Sequence, residues 1–296
     1  MSGRSLARIG LVVHPRRQLD NALATIREWA EPNGAEVVQV GAPGQERVVA
    51  PLADAASCDL VVALGGDGTA LAALRAAAPC HRPVLGVACG SLGALTATTA
   101  DRLEEALRRV AEGDWRPRRL PALAAETSGE TLRAINDLVL VRASAGQVTI
   151  EITIDGERYV RYAGDGLVAA TPLGSTAYTL AAGGPMLAPD SRGLVLTPLS
   201  PHGGFGPPVV TQPRHRVDIK VDPGHGGARV ELDGQIHEVL ERMQPVSLSL
   251  HFQNDFATLI SLGEEEPLLA GLRRRAILLD SPRVLAREKR DPAAPY

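Results

Sequence analysis

Lysine is nearly missing from this 296-residue chain: Lys220 and Lys289 are the only two, and the other basic residues are arginines. A Walker-type loop needs a lysine inside its glycine-rich run, so a phosphate site of that kind is excluded. Phosphate would have to be held by backbone N–H groups, arginine side chains and a metal ion. Aromatic residues are scarce at 3%, which leaves Val, Leu, Ile and Ala to build the core. Surplus charge is also missing. A net charge of −3 gives no cationic field for gripping nucleic acid or an anionic membrane, and neither is expected as a partner. The three cysteines, Cys58, Cys80 and Cys89, show no Cys-x-x-Cys pair and no matching histidine spacing. That argues against zinc and against a disulfide framework, and reads as small buried apolar residues. No charged segment followed by a long apolar run opens the chain, and no window approaches a membrane span. A cytoplasmic protein is the default expectation.

What is present is an ordinary apolar fraction, 45%, over a length that suits two domains. The first third alternates short apolar runs with helical stretches. Strands are expected at Arg8 to Val13, Glu36 to Val40, Asp59 to Leu64 and Pro83 to Ala88. Helices are expected from about Leu19 to Ala30, from Thr69 to Ala78 and from Asp101 to Glu112, with Thr99 as a cap. Strands alternating with helices of this length imply βαβ units around a parallel sheet.

Near Trp115 the pattern changes. The stretch Trp115 to Pro121 holds two prolines and three arginines and marks the expected boundary between domains. Beyond it, Val148, Ile150, Ile152 and Ile154 alternate with polar residues and lead into the hairpin turn Asp155-Gly156. Val217, Ile219 and Val221 repeat the alternation, as do Val230 and Leu232 before Asp233-Gly234. The expected organisation is an α/β domain over 1–114, a largely antiparallel β domain over 115–266, and a terminal segment over 267–296. Leu268, Leu269 and Leu272 need a surface to cover, which suggests that this segment partly returns to the first domain. Residues Arg287 to Tyr296 have the composition of a disordered tail.

The sharpest local feature is Gly65-Gly66-Asp67-Gly68-Thr69, between an apolar strand and a helix. Three glycines allow a tight turn and close approach to a ligand, and the helix start adds the positive end of its dipole, so the turn suits phosphate. An acid in its middle would repel phosphate, and makes sense beside a metal ion or an acceptor hydroxyl. The bland alternative is a turn in which Asp67 caps the helix. A second cluster runs through Gly164-Asp165-Gly166, Thr171 to Tyr178 and Gly183-Gly184-Pro185. Its density of small residues and hydroxyls suits a polar ligand held near the backbone, or a turn-rich surface loop. Asn136-Asp137, before the apolar run Leu138 to Val141, reads by itself as a strand-entry turn.

Together these pieces resemble the NAD kinase family. Gly65 to Thr69 is similar to its glycine-rich acidic motif, Asn136-Asp137 to its Asn-acid pair, and Gly164 to Pro185 to its longest signature. Asp233-Gly234-Gln235, His14-Pro15, Gly86-Val87 and Gly90 to Gly93 agree as well, so the resemblance spans most of the chain. The resemblance implies a Rossmann-like α/β domain followed by a β domain, and an enzyme that phosphorylates the 2′-hydroxyl of the adenosine ribose of NAD with ATP and Mg²⁺. It implies Asp67 as the residue that orients and deprotonates that hydroxyl. It implies Gly65, Gly66, Gly68 and Thr69 around the donor phosphates. Asn136, Asp137, Asp165, Thr176, Ala177 and Tyr178 would line the dinucleotide pocket, with Asp165 at the nicotinamide end. A homodimer or homotetramer is implied too, a neighbouring subunit helping to build the pocket.

Three departures concern the acceptor pocket: Ala88 in place of a polar residue, Ala94 where an aromatic is common, and 201–208 after its Pro-His start. They keep open a kinase of the same fold that acts on another nucleoside, dinucleotide or sugar-like hydroxyl. A lipid kinase fits the long signature less well, and a non-catalytic dinucleotide sensor would have no need of Asp67 and Asn136.

Overall fold

In the computed structural model, residues 6–44, 47–127, 129–202, 204–263 and 268–285 are described. The first third folds as β1 (Arg8–Val13), α1 (Asp20–Ala30), β2 (Glu36–Val40), β3 (Leu52–Ala53), β4 (Leu60–Gly65), α2 (Asp67–Ala77), β5 (Pro83–Ala88), β6 (Thr98–Thr99) and α3 (Leu103–Glu112). The strands pair in parallel in the spatial order β3-β2-β1-β4-β5. Order reverses between β1 and β4, and such a reversal leaves a crevice at the strands' carboxyl ends, where ligands of open α/β sheets bind.

Both faces of this sheet are covered, which is why its strands read as unbroken apolar runs. One face packs Ile9, Leu11, Leu60, Val62 and Leu85 against Leu23 and Ile26 of α1 and Leu103 and Leu107 of α3. The other packs Val12, Val61 and Val84 against Ala70, Ala73, Leu74 and Ala77 of α2. The alanines of α2 let that helix lie close to the strands. Thr99 differs from expectation: a short 3-10 turn over Ala100–Arg102 precedes α3, and Thr99 makes no side-chain cap bond to it. Its hydroxyl instead bonds Asp101 and holds that carboxyl below its usual range.

The remainder of this unit is β-rich. Its elements are β7 (Arg116–Glu126), β8 (Thr131–Ala134), β9 (Asp137–Arg142), β10 (Val148–Ile154), β11 (Glu157–Gly164), β12 (Gly166–Ala170), the one-turn α4 (Tyr178–Ala181), β13 (Val195–Leu199), β14 (Val209–Val210), β15 (Val217–Asp222), β16 (Ala228–Leu232), β17 (Gln235–Leu240) and β18 (Val246–Ser261). A second, antiparallel sheet runs β14-β13-β12-β9-β16-β17. It faces β11-β10-β15-β18 across a core containing Leu138, Leu140, Leu167, Leu196, Ile150, Ile152 and Ile219. Asp155-Gly156 and Asp233-Gly234 both form hairpin turns with positive φ at each residue, as their sequence demands.

The Trp115 to Pro121 stretch, where the boundary between domains was expected, is itself structured. It enters β7, which pairs antiparallel with β18, while β8 borders β7 only from Leu123 onward. Pro117 and Pro121 therefore sit where one side of the strand has no ladder neighbour, the position in which a sheet accepts proline. β18 joins both halves: Val246 to Leu250 pair antiparallel with β15, and Thr258 and Leu259 pair parallel with β5.

Residues 264–296 form a second unit. Within it, α5 (Leu268–Arg274) is followed two residues later by Ala276, whose φ is 57°, and Arg273 pairs with Asp280 at 2.6 Å. The tail Arg287 to Tyr296 lies outside the described residues.

Candidate active site

The crevice between β1 and β4 is bordered by the glycine turn. β4 ends at Gly65, and α2 begins two residues earlier than its apolar spacing suggests, at Asp67. The first helical bond runs from the Ala70 N–H to the Gly66 carbonyl, so the N–H groups of Asp67, Gly68 and Thr69 have no acceptor within the helix. Gly68 is exposed, with open space where a Cβ would stand, and its φ is not positive. Thr69 is different. It is buried, its hydroxyl lies in the space that a side chain at Gly65 would need, and its Oγ1 has no hydrogen-bond partner.

Asp67 does not cap its own helix; Gly66 occupies the cap position without a side-chain bond. The Asp67 carboxylate instead accepts the Ala94 N–H at 3.0 Å and the Leu95 N–H at 2.9 Å. This loop is held firmly. Gly93 N–H donates to the Thr96 hydroxyl at 2.8 Å, Arg118 donates to the Ala94 carbonyl at 3.0 Å, and the Leu95 carbonyl lies against Gly86 where a Cβ would be. Asp67 is half-buried, and each of its oxygens keeps a lone pair beyond the one engaged by the loop. Ala88 is buried at the end of β5, and Ala94 is the residue whose N–H holds Asp67. Phe205 is 85% exposed and so packs into no wall among the described residues.

Asn136 and Asp137 form a corner at the start of β9. Asp233, from the β16–β17 turn, accepts the backbone N–H groups of Ile135 at 3.1 Å, Asn136 at 2.6 Å and Asp137 at 3.3 Å. Arg75 of α2 stands 3.6 Å from Asp233 and donates to the Leu232 carbonyl at 3.1 Å. The helix that begins with Asp67 is thus tied to the Asn136-Asp137 corner. Thr171 closes the other side by donating from its N–H to the Asn136 carbonyl and from its hydroxyl to the Ile135 carbonyl. Asn136 Oδ1 is buried without a partner. Asp137 is buried beside Asp233 and Glu231; burial and those like charges push its carboxyl up to about 7.

Asp165 lies at the far end of the same strands. In the β9–β12 ladder Ala170 faces Asp137, whereas Gly166 faces Val141. The strand between them separates Asp165 from the Asn136-Asp137 corner by on the order of 15 Å. Arg142 Nε donates to Asp165 at 2.6 Å and keeps that carboxyl below its usual range. Thr176 ends a short 3-10 turn and donates its hydroxyl to the Leu173 carbonyl at 3.1 Å. Ala177 and Tyr178 follow it and are exposed. Arg75 was not anticipated from the sequence, and no local signal marks it. Of the cysteines, Cys58 alone is fully buried; Cys80 and Cys89 are intermediate, and all three are free.

Comparison with known proteins shows the family. The model of the ATP-NAD kinase N-terminal domain matches residues 10–115, and that of the ATP-NAD kinase C-terminal domain matches residues 135–250. An NAD kinase of Clostridium perfringens is 30% identical over 248 residues, which are 80% of this chain and 88% of the relative. The fold matches that of yeast NADH kinase solved with NADH, with a TM-score of 0.77 at 21% identity over 94% of this chain and 89% of that one. It also matches an NAD kinase of Archaeoglobus fulgidus solved with ATP, with a TM-score of 0.69 at 22% identity over 90% and 98% of the two chains. With both of the family's domains matched in order and a relative alike along most of its own length, the chain belongs to the ATP-NAD kinase family.

Proposed function

We propose that this enzyme transfers the γ-phosphoryl group of ATP to the 2′-hydroxyl of the adenosine ribose of NAD, producing NADP and ADP. One observation carries the assignment of roles: a carboxylate fixed from outside its own helix, beside unclaimed N–H groups at that helix's positive end. The ribose oxygen forms a bond to the γ-phosphorus as the bond to the bridging oxygen of ADP breaks. Asp67 receives the hydroxyl proton, a task for a carboxylate within hydrogen-bond reach. The N–H groups of Asp67, Gly68 and Thr69, with Gly65 and Gly66 shaping the turn, hold donor phosphates, because phosphoryl transfer depends on positioning and charge neutralisation. The hydroxyl of Thr69 is given no part.

Asn136, Asp137, Thr176, Ala177 and Tyr178 are assigned to the acceptor, with Asp165 at its nicotinamide end. The span from the Asn136-Asp137 corner to Asp165 supports a dinucleotide over a single nucleoside. The division at 114/115 is then functional, with donor-binding elements before it and acceptor-binding elements after. Among the described residues no cluster of three or more His, Cys, Asp or Glu could hold a metal ion. Mg²⁺ therefore fits as the ion that ATP brings, since Mg²⁺ at such sites takes its ligands chiefly from phosphates and water. It would withdraw charge from the transferring group. Three free cysteines suit the reducing cytoplasm, and no helix among the described residues is long and apolar enough to cross a membrane. A homodimer or homotetramer would cover Phe205, Val210, Ile236 and Val239, all exposed on the β-rich half. The test is NADP formation from NAD with ATP and Mg²⁺, read by an NADP-specific dehydrogenase, beside a panel of nucleosides and sugars. Phosphorylation of a panel compound with NAD untouched would overturn the acceptor assignment.

A further inference from the structure

We propose that Arg17 is the cationic residue that receives the donor's phosphates, neutralising triphosphate charge that a lysine handles in other phosphate loops. The inference rests on the donor site proposed above and adds a residue that no motif of the chain marks. Arg17 follows β1, directly across the crevice from the glycine turn that follows β4. Its segment is fixed: the N–H groups of Arg16 and Arg17 donate to His14 Nδ1 at 3.1 and 3.2 Å, and Arg47 donates to the Arg17 carbonyl at 2.7 Å. Its guanidinium reaches the end of a third strand, where Nη1 donates to the Cys89 carbonyl at 2.7 Å.

Two glycines make that placement possible. A Cβ on Gly90 would stand 2.5 Å from Nη1, and one on Gly66 would stand 4.0 Å from Nη2. Arg17 is an exposed residue, and no carboxylate pairs with its guanidinium among the described residues. It faces the amino end of the 11-residue α2, whose dipole is also positive there. Two positive groups held face to face repel each other unless an anion lies between them. A triphosphate between Arg17 and the free N–H groups of α2 resolves the conflict. Arginine also suits phosphate better than a point charge does, because its planar fork offers paired donors.

The test compares Arg17→Gln, Arg17→Met and Arg17→Lys. ATP binding is measured by calorimetry without NAD, and KM is measured for both substrates. Glutamine retains an amide donor for the Cys89 carbonyl but has no charge. Both Gln and Met are expected to weaken ATP binding and raise its KM by roughly 10- to 100-fold, the loss of a charge-assisted contact. The KM for NAD and the melting temperature should stay near the wild-type values, and Lys should restore part of the affinity. If Arg17→Gln binds ATP as the wild type does, Arg17 is only a latch on Cys89 and the inference is overturned. A parallel rise in both KM values, or a collapsed melting temperature, overturns it as well. An inactive Asp67→Asn alongside an unaffected Arg17→Met would sink the role of Arg17 and leave the donor site standing.

Discussion

Gly93 has no side chain where the carboxylate of Asp67 sits: a Cβ built on Gly93 would overlap Asp67 Oδ1 and crowd Oδ2 and Cγ. The two residues are 26 positions apart, and the absence at one makes room for the acid at the other. The following N–H groups, of Ala94 and Leu95, then hold both carboxylate oxygens. The side chain proposed as the base is therefore aimed by a loop that contributes no functional group of its own.

Gly93→Ala should therefore remove activity while leaving the fold in place. The added methyl displaces the carboxylate by more than a bond's tolerance, and a misplacement of about 1 Å can cost on the order of 10²-fold in rate. Turnover and a thermal melt decide it: wild-type turnover in the alanine variant would show that the position of Asp67 does not matter.

Asp67→Asn should lower kcat by about 10²–10⁴-fold, the loss expected for a general base, with ATP binding largely retained. Asparagine has one acceptor oxygen for two loop N–H groups. One of them loses its partner, so a modest loss of stability should accompany the loss of rate. Turnover near the wild-type value would remove Asp67 from the mechanism.

Gly68→Val is expected to block the donor without unfolding the protein. The glycine's φ is not positive and its surroundings are open, so the isolated chain tolerates a side chain there. Only a ligand would meet the new methyl groups. Titration with ATP gives the answer, and an unchanged affinity would move the donor away from this turn.

Asp165→Ala should raise the KM for NAD more than that for ATP. A hydrogen bond to a charged group is worth ~1.5–3 kcal/mol, and half that loss would still separate the two constants. Equal changes in both would assign Asp165 to the Arg142 pair and the fold alone.

Stability should fall as pH rises from about 4 to 7 because of Asp137. Its carboxyl titrates near 7 in the folded chain, where burial and then Asp233 and Glu231 oppose its charge. In the unfolded chain it titrates near 3.9. Between those values the folded state holds a proton that unfolding releases, so this contribution is full below about pH 4 and gone above about 7. Asp137→Asn cannot ionise and should flatten that slope. Urea melts at pH 5, 6, 7 and 8 test this, and identical slopes for variant and wild type would refute it.

The parts legible in the sequence were those whose cause is local. An Asp-Gly pair makes its own hairpin at 155–156 and 233–234, and a strand buried on both faces is apolar at every position, as in Leu60–Gly65. The glycine turn announced its place between strand and helix. What could not be read depends on distant partners. That the prolines at 117 and 121 belong to a strand shows only once β18 is seen to pair along one side of that stretch. Thr69 belongs to the glycine turn yet has its hydroxyl turned into the core. The link between Arg75 and Asp233 crosses more than half the chain, and nothing near either residue predicts the other.

β18 borders β5 only through residues 258 and 259, which are among the last of the larger unit to leave a ribosome. Until they arrive, β5 is unpaired on that side at Pro83 and Val84, β6 covering only Val87 and Ala88, and Leu120 and Ile135 lack Ala257 and Leu259, their companions in one core. A chain cut after residue 114 would carry the glycine turn and Asp67 and still expose that edge and part of the apolar surface beneath α2. An unpaired edge beside apolar surface invites aggregation. The first third of the molecule is thus obliged to wait for the chain's later residues, and separating it on its own should give an insoluble fragment.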